Sequence, residues 1–245
     1  MNPLHQRLYA TYNLHYTHVN PSEALLSKIF RSYTAEFSSL VNLTEKKTYL
    51  DVGCGSGLLL DWLSKRAPKA FIHGLDSSRP MAEAARARLN ESAQIHECDG
   101  IEFLTQHQDE FDGIFATDIL EHMDDEYLAH FLDAARLALK PGGFLAVKVP
   151  NMSNISCSEL RYRDATHLRG FTEKSLAQCF RAFDFVDCYC QGIIPNSIGM
   201  RLRVFVEKVF HRVIFRVCGH TDVSIFTRTI TAVGYRDQPS RPVSI

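Results

Sequence analysis

With 245 residues, the chain is long enough for one α/β domain with a full apolar core, so 1–245 reads as a single unit. Its 27 Lys and Arg against 28 Asp and Glu leave no global positive field to recruit nucleic acid. No apolar run nears the ~20 residues of a membrane-spanning helix, the stretch from Met1 to Arg7 lacks an apolar leader core, and seven cysteines occur without C-x-x-C pairing; a disulfide framework and a zinc site are disfavoured, and a cytoplasmic protein with reduced thiols is expected.

Residues 1–47 are aromatic-rich, with Leu25, Leu26, Ile29, Phe30 and Tyr33 at helical spacing, and read as an N-terminal helical cap. A core then runs over 48–150. The apolar stretch from Tyr49 to Val52 carries Asp51 and leads into Gly53, Gly55 and Gly57. Glycines permit positive φ and let a ligand approach bare backbone. The apolar run from Leu58 to Leu63 starts a helix whose first amides face that loop. Strand, glycine turn and helix make a nucleotide-type binding unit of a doubly wound sheet. The spacing is G-x-G-x-G, not the G-x-G-x-x-G of dinucleotide sites, which disfavours a nicotinamide dehydrogenase.

Further along, a second apolar run, Phe71 to Leu75, ends at Asp76 and Ser77, roughly 20 residues past the glycine loop, where a ribose-binding carboxylate belongs. The third leads to Asp99 and Gly100, the fourth to Thr117 and Asp118, and the turn signal Leu139 to Gly143 precedes the fifth, Phe144 to Val149. Strands near 48–52, 71–75, 94–97, 111–116 and 143–149 alternate with helices near 57–66, 79–90, 101–107 and 124–139. That alternation predicts a parallel sheet with right-handed crossovers. Any one of these acids could be a solvated loop residue or a helix N-cap. Four in succession at strand ends point to a shared site.

Residues 151–245 form the substrate side. A polar loop from Arg161 to Phe171 holds His167, and Thr172 with Ser175 makes a weak capping box for a helix presenting Leu176, Cys179 and Phe180. Phe185 to Tyr189 predicts a sixth strand and Ser224 to Tyr235 a seventh. Between them, 199–217 is both apolar and basic. As a helix it would carry Lys208, Arg212 and Arg216 in one stripe, with Leu202, Phe205, Val206, Val209, Phe210, Val213 and Val217 on an opposite face. Such a helix suits a membrane interface; burial against the domain or in a homodimer is the other reading, and its β-branched residues also allow a strand.

These motifs together resemble the class I methyltransferases that use S-adenosyl-L-methionine. The residues that carry the likeness are Asp51-Val52-Gly53-Cys54-Gly55-Ser56-Gly57, Leu75-Asp76-Ser77-Ser78, Cys98-Asp99-Gly100, Phe111-Asp112-Gly113-Ile114 with Glu121-His122, and Leu139-Lys140-Pro141-Gly142-Gly143-Phe144. It covers Thr48 to Val149, more loosely the chain to Gly192, and is strongest toward ubiquinone-biosynthesis and small-molecule O-methyltransferases. The resemblance implies a Rossmann-like, seven-stranded, mostly parallel sheet in the order 3-2-1-4-5-7-6, with the last strand antiparallel. It also implies a lid built from the residues before Lys47. By the same resemblance, Asp51, Gly53 and Gly55 surround the methionine end of the cofactor, and Asp76 and Ser77 meet the ribose. Met81 packs beneath the adenine unless it is a core methionine, Asp99 and Gly100 bond the adenine edge, and Thr117 and Asp118 lie near the sulfonium. The product is S-adenosyl-L-homocysteine.

Methyl transfer from a sulfonium demands an in-line nucleophile, so positioning dominates. A hydroxyl acceptor also needs a base, and histidine suits neutral pH. Of eleven histidines, His167 and His122 are the candidates. No Asp/Glu/His pattern in the sequence specifies a catalytic metal. The expectation is O-methylation of a small or lipid-linked acceptor, such as a quinone precursor or carrier-bound glycan. N- or C-methylation and a non-catalytic cofactor-binding partner subunit are the alternatives. A lipid-linked acceptor would place the protein peripherally on the inner face of a membrane.

Overall fold

A computed structural model of the chain describes residues 7–8, 20–195, 197–219 and 222–237; most of the expected cap before residue 20 lies outside the described residues. Seven strands form one sheet: β1 (Thr48–Val52), β2 (Phe71–Leu75), β3 (Gln94–His96), β4 (Phe111–Thr117), β5 (Leu139–Pro150), β6 (Phe185–Gly192) and β7 (Thr229–Arg236). Their order is β3-β2-β1-β4-β5-β7-β6, as the resemblance implied. The first five pair in parallel, and β7 runs antiparallel to both β5 and β6.

Helices cover both faces: α1 (Glu23–Phe37), α2 (Leu58–Arg66), α3 (Arg79–Leu89), α4 (Gly100–Gln106), α5 (Asp125–Ala138), α6 (Cys157–Arg163), α7 (Glu173–Ala182) and α8 (Ile198–Val217). Because side chains alternate along a strand, the sheet feeds two apolar cores. Leu50, Ile114, Leu145, Val147 and Ile230 join Phe131, Leu132 and Phe180 of α5 and α7 on one face. Tyr49, Phe115, Phe144 and Val233 join Phe37, Trp62, Leu63 and Ala85 of α1, α2 and α3 on the other. Phe37 is fully buried, and Trp62 Nε1 donates to Thr34 Oγ1 at 3.1 Å, so α1 packs on the sheet as a structural layer.

Local chemistry explains the boundaries that differ from expectation. The seventh strand begins at Thr229, not at Ser224, because side chains take the preceding backbone groups. Asn151 Nδ2 donates to the carbonyls of Ile225 and Thr227, Asn154 Nδ2 donates to that of Phe226, and Glu173 accepts from the amides of Ser224 and Ile225. The capping box of α7 is stronger than Ser175 suggested: Ser175 Oγ accepts from the Thr172 amide at 2.9 Å while Thr172 Oγ1 accepts from the Ser175 amide. In α8 the apolar side chains of the predicted face lie outward, and its one buried residue is His211. Its basic stripe flanks that outward apolar strip rather than lying opposite it.

Candidate functional site

The strand order reverses between β1 and β4, and a doubly wound sheet opens its binding crevice at the carboxyl ends of such a pair. Asp51 lies near the end of β1 with Gly53 and Gly55 following it there, and Thr117 ends β4 with Asp118 next. Gly53 and Gly55 have φ of +69° and +53°, a region that strains residues with a side chain. A Cβ on Gly53 would also stand 2.6 Å from Ile119 Cγ2, so the loop lies directly against the segment after β4.

Asp51 is buried, and among the described residues its Oδ1 has no hydrogen-bond partner. Burial first, then the nearby charge of Asp76, push its carboxyl well above the usual range, with Lys148 acting against them. Asp76 is tied into the loop it was expected to serve: Oδ2 accepts from the Gly55 amide and Oδ1 from the Ser78 amide, both at 2.8 Å. Burial raises its pKa while these amides lower it. A carboxylate has about four lone-pair positions, so two remain for a diol. Ser77 stands between Asp76 and α3, and Met81 is buried within that helix.

Asp99 has a structural duty that its sequence context left open. It is the N-cap of α4, its Oδ1 accepting from the amides of Ile101 and Glu102, and its Oδ2 accepts from Tyr127 Oη at 2.7 Å. Gly100, buried at the first position of α4, leaves room beside Val52; a Cβ there would lie 3.2 Å from Val52 Cγ1.

Sequence reasoning missed Lys148, a lysine inside the buried fifth strand. Its Nζ lies 2.8 Å from Asp118 Oδ2, 3.7 Å from Glu36 Oε2 of α1 and 5.7 Å from the centre of the Tyr33 ring. Burial disfavours the ammonium, but Asp118 and Glu36 outweigh it and raise its pKa. A charge on an otherwise apolar strand was the available signal, since a buried lysine needs partners. Asp118, at φ +56°, is thus braced from β5 and from the helical cap.

The segment after β4 turns through a short 3₁₀ helix, Leu120–His122, that carries Glu121 and His122. The Glu121 carbonyl accepts from the amides of Leu168 and Arg169, which stitches the loop after α6 to this turn. His167 and His122 thereby meet edge to face with ring centres 4.6 Å apart. His167 Nδ1 lies 3.0 Å from the Leu160 carbonyl, which can only accept, so this nitrogen carries the proton. In the neutral ring Nε2 holds the lone pair; it lies 4.0 Å from Glu121 Oε1 and 4.0 Å from Asp164 Oδ2. Thr166 Oγ1 donates to Asp164 Oδ1 at 2.6 Å and so accepts from His122 Nδ1 at 2.8 Å. Burial, then the neighbouring His167, lower the pKa of His122 to about 4. Burial and then Asp118 push the buried Glu121 carboxyl well above its usual range.

The fold brings together an acid–histidine cluster that the sequence pattern did not show. Donor atoms of Glu121, His122 and His167 all lie within 4.8 Å of one another, a spacing one metal ion can bridge. The sequence hid this because His167 is 45 residues from His122 and only the loop contacts join them.

A family model described as a methyltransferase domain matches residues 25–188, more than half of the chain. Ubiquinone biosynthesis O-methyltransferases of Aromatoleum aromaticum and Coxiella burnetii are 37% and 35% identical to it over 100 and 102 residues. Each match takes in 40% of this chain and 41% or 42% of the relative, so the chain matches less than half the length of these proteins. Among solved structures, a SAM-dependent methyltransferase from Archaeoglobus fulgidus superposes with a TM-score of 0.64 at 20% identity, covering 91% of this chain and 99% of its own. Phosphoethanolamine N-methyltransferase 2 of Haemonchus contortus, in complex with S-adenosyl-L-methionine, gives 0.61 at 16% identity, covering 85% and 53%.

Proposed function

We propose that this chain, which belongs to the class I S-adenosyl-L-methionine-dependent methyltransferases, methylates a hydroxyl of a small or lipid-linked acceptor. S-Adenosyl-L-methionine is the methyl donor. The residues present fit it: the buried, unpartnered Asp51 Oδ1 asks for a cationic donor such as an amino-acid ammonium, and Asp76 keeps acceptor capacity for a ribose diol. The glycine loop lets a ligand approach its backbone. When bound, the cofactor supplies an electrophilic methyl on a sulfonium and leaves as S-adenosyl-L-homocysteine.

One observation carries the choice of a hydroxyl acceptor: His167 presents a lone pair on Nε2, oriented by the Leu160 carbonyl, beside buried Glu121. His167 would take the proton of the acceptor hydroxyl at Nε2, leaving the oxygen nucleophilic toward the methyl group the cofactor would supply. Asp164, 4.0 Å from Nε2, then stabilises the imidazolium. His122, with its pKa near 4, is neutral but weak as a base at neutral pH and serves to shape the site. The ubiquinone O-methyltransferase relatives favour a quinone-type phenol as acceptor.

A second reading follows from the same cluster. A divalent cation on Glu121, His122 and His167 would acidify a coordinated acceptor hydroxyl without a protein base. Labelled cofactor offered with a panel of hydroxylated aromatics, with and without chelator, separates the two. A base role predicts that His167→Ala loses ~10²–10⁴-fold in turnover, keeps cofactor affinity, and leaves wild-type turnover indifferent to chelation. Transfer only to amines or carbon acids would defeat O-methylation altogether.

A further inference from the structure

We propose that α8 is an interfacial helix that docks this protein on an anionic lipid surface. The inference stands on α8 alone and does not depend on which acceptor is methylated.

The side of α8 that meets the domain is partly polar. His211 Nε2 accepts from the Ile155 amide at 3.0 Å, Nδ1 donates to the Glu207 carbonyl at 2.7 Å, and the ring stacks on Phe226 at 5.5 Å. Phe215 adds an edge contact to Phe226 at 5.7 Å. This lock fixes the helix rotation and turns its most apolar side outward. Leu202 and Phe205 are 64% and 63% exposed, and Val206, Val209, Phe210 and Val213 are exposed around them. Folded soluble proteins rarely leave so continuous an apolar strip bare unless it meets something.

Charge decides what it meets. At 100° per residue, Arg201, Lys208, Arg212 and Arg216 line one flank of the apolar strip and Arg203 the other. The only acid in the helix, Glu207, faces inward and accepts from Arg203 at 3.0 Å. A second copy laid symmetrically on this strip would set basic flank against basic flank with no carboxylate between them, which disfavours self-association. An anionic bilayer supplies what the flanks lack: headgroup phosphates for the cationic ends, and acyl chains for the apolar strip between them. Among the described residues no helix is long and apolar enough to cross a membrane, so α8 would lie in the interface plane.

Flotation of the full chain with vesicles of phosphatidylglycerol and phosphatidylcholine, against phosphatidylcholine alone, tests this at low and high salt. The protein should float with the anionic vesicles, and salt should weaken its binding. Lys208→Glu/Arg212→Glu/Arg216→Glu should cut the partition coefficient by at least ~100-fold. Leu202→Ser/Phe205→Ser/Val209→Ser should also abolish flotation. All six side chains are exposed, so unfolding midpoint and cofactor affinity should hold; even without either variant, the lipid and salt comparisons on the wild type decide. Wild-type protein that stays unbound with anionic vesicles at low salt overturns the proposal. So does a dimer in sedimentation that the serine variant dissolves, since a second copy would then own the strip.

Discussion

Replacing His122 by glutamine isolates a histidine whose protonation the fold opposes. Its pKa falls from 6.5 to about 4, first because the ring is buried and next because His167 lies against it. At about 1.4 kcal/mol per pKa unit, that gap corresponds to roughly 3 kcal/mol of folding free energy. Because the folded value is the lower one, this stability is whole above pH 6.5 and is lost as pH falls through 6.5 toward about 4. Glutamine can still donate to Thr166 Oγ1 but does not titrate. Urea unfolding of both proteins, in chelator and from neutral pH down to about 4, gives two stability profiles. Acid steps from Asp51, Asp76 and Glu121 are common to both, so the difference reports His122 together with its coupling to His167. The wild type should lose about 3 kcal/mol more than the variant over that window. Parallel profiles would refute the burial argument and restore His122 as a candidate base.

Two further outcomes test the site. Asp51→Asn should weaken S-adenosyl-L-methionine binding in calorimetry by about 1.5–3 kcal/mol, the worth of a hydrogen bond to a charged group. In the same variant, unfolding without cofactor should lose less stability as pH rises above 3.8: the raised folded pKa of Asp51 means stability is present below 3.8 and lost as pH rises through the folded value, a loss Asn cannot show. Unchanged affinity and an unchanged pH slope would remove Asp51 from the cofactor site. Lys148→Met should destabilise the protein by about 1–3 kcal/mol in urea, because buried Glu36 then loses its cation while half-exposed Asp118 keeps its water. A loss below about 1 kcal/mol would mean that water reaches Glu36 freely.

Much of this protein was legible because its signals are local. Short apolar runs mark the strands, glycines at 53, 55 and 57 mark a turn needing positive φ, and an acid lies at or just past the carboxyl end of each of the first four strands. The sheet order came through the resemblance these motifs carry, and the structure has it. Four things could be decided only by tertiary contacts. Asp99 reads equally as a ligand acceptor and as an N-cap; in the fold the cap amides hold its Oδ1 and the Tyr127 hydroxyl, 28 positions away, its Oδ2. Lys148 becomes a buried ion only because α1 brings Glu36 to it across more than a hundred residues, and Glu121, His122 and His167 become a cluster only when Leu168 and Arg169 bond the turn after β4. In α8 the spacing showed that apolar and basic side chains segregate. Which side faces the domain was settled by His211, whose ring accepts from the Ile155 amide and stacks on Phe226 outside the helix. A pattern along one helix fixes relative angles between side chains, whereas its rotation against the rest of the protein depends on partners that are distant in sequence.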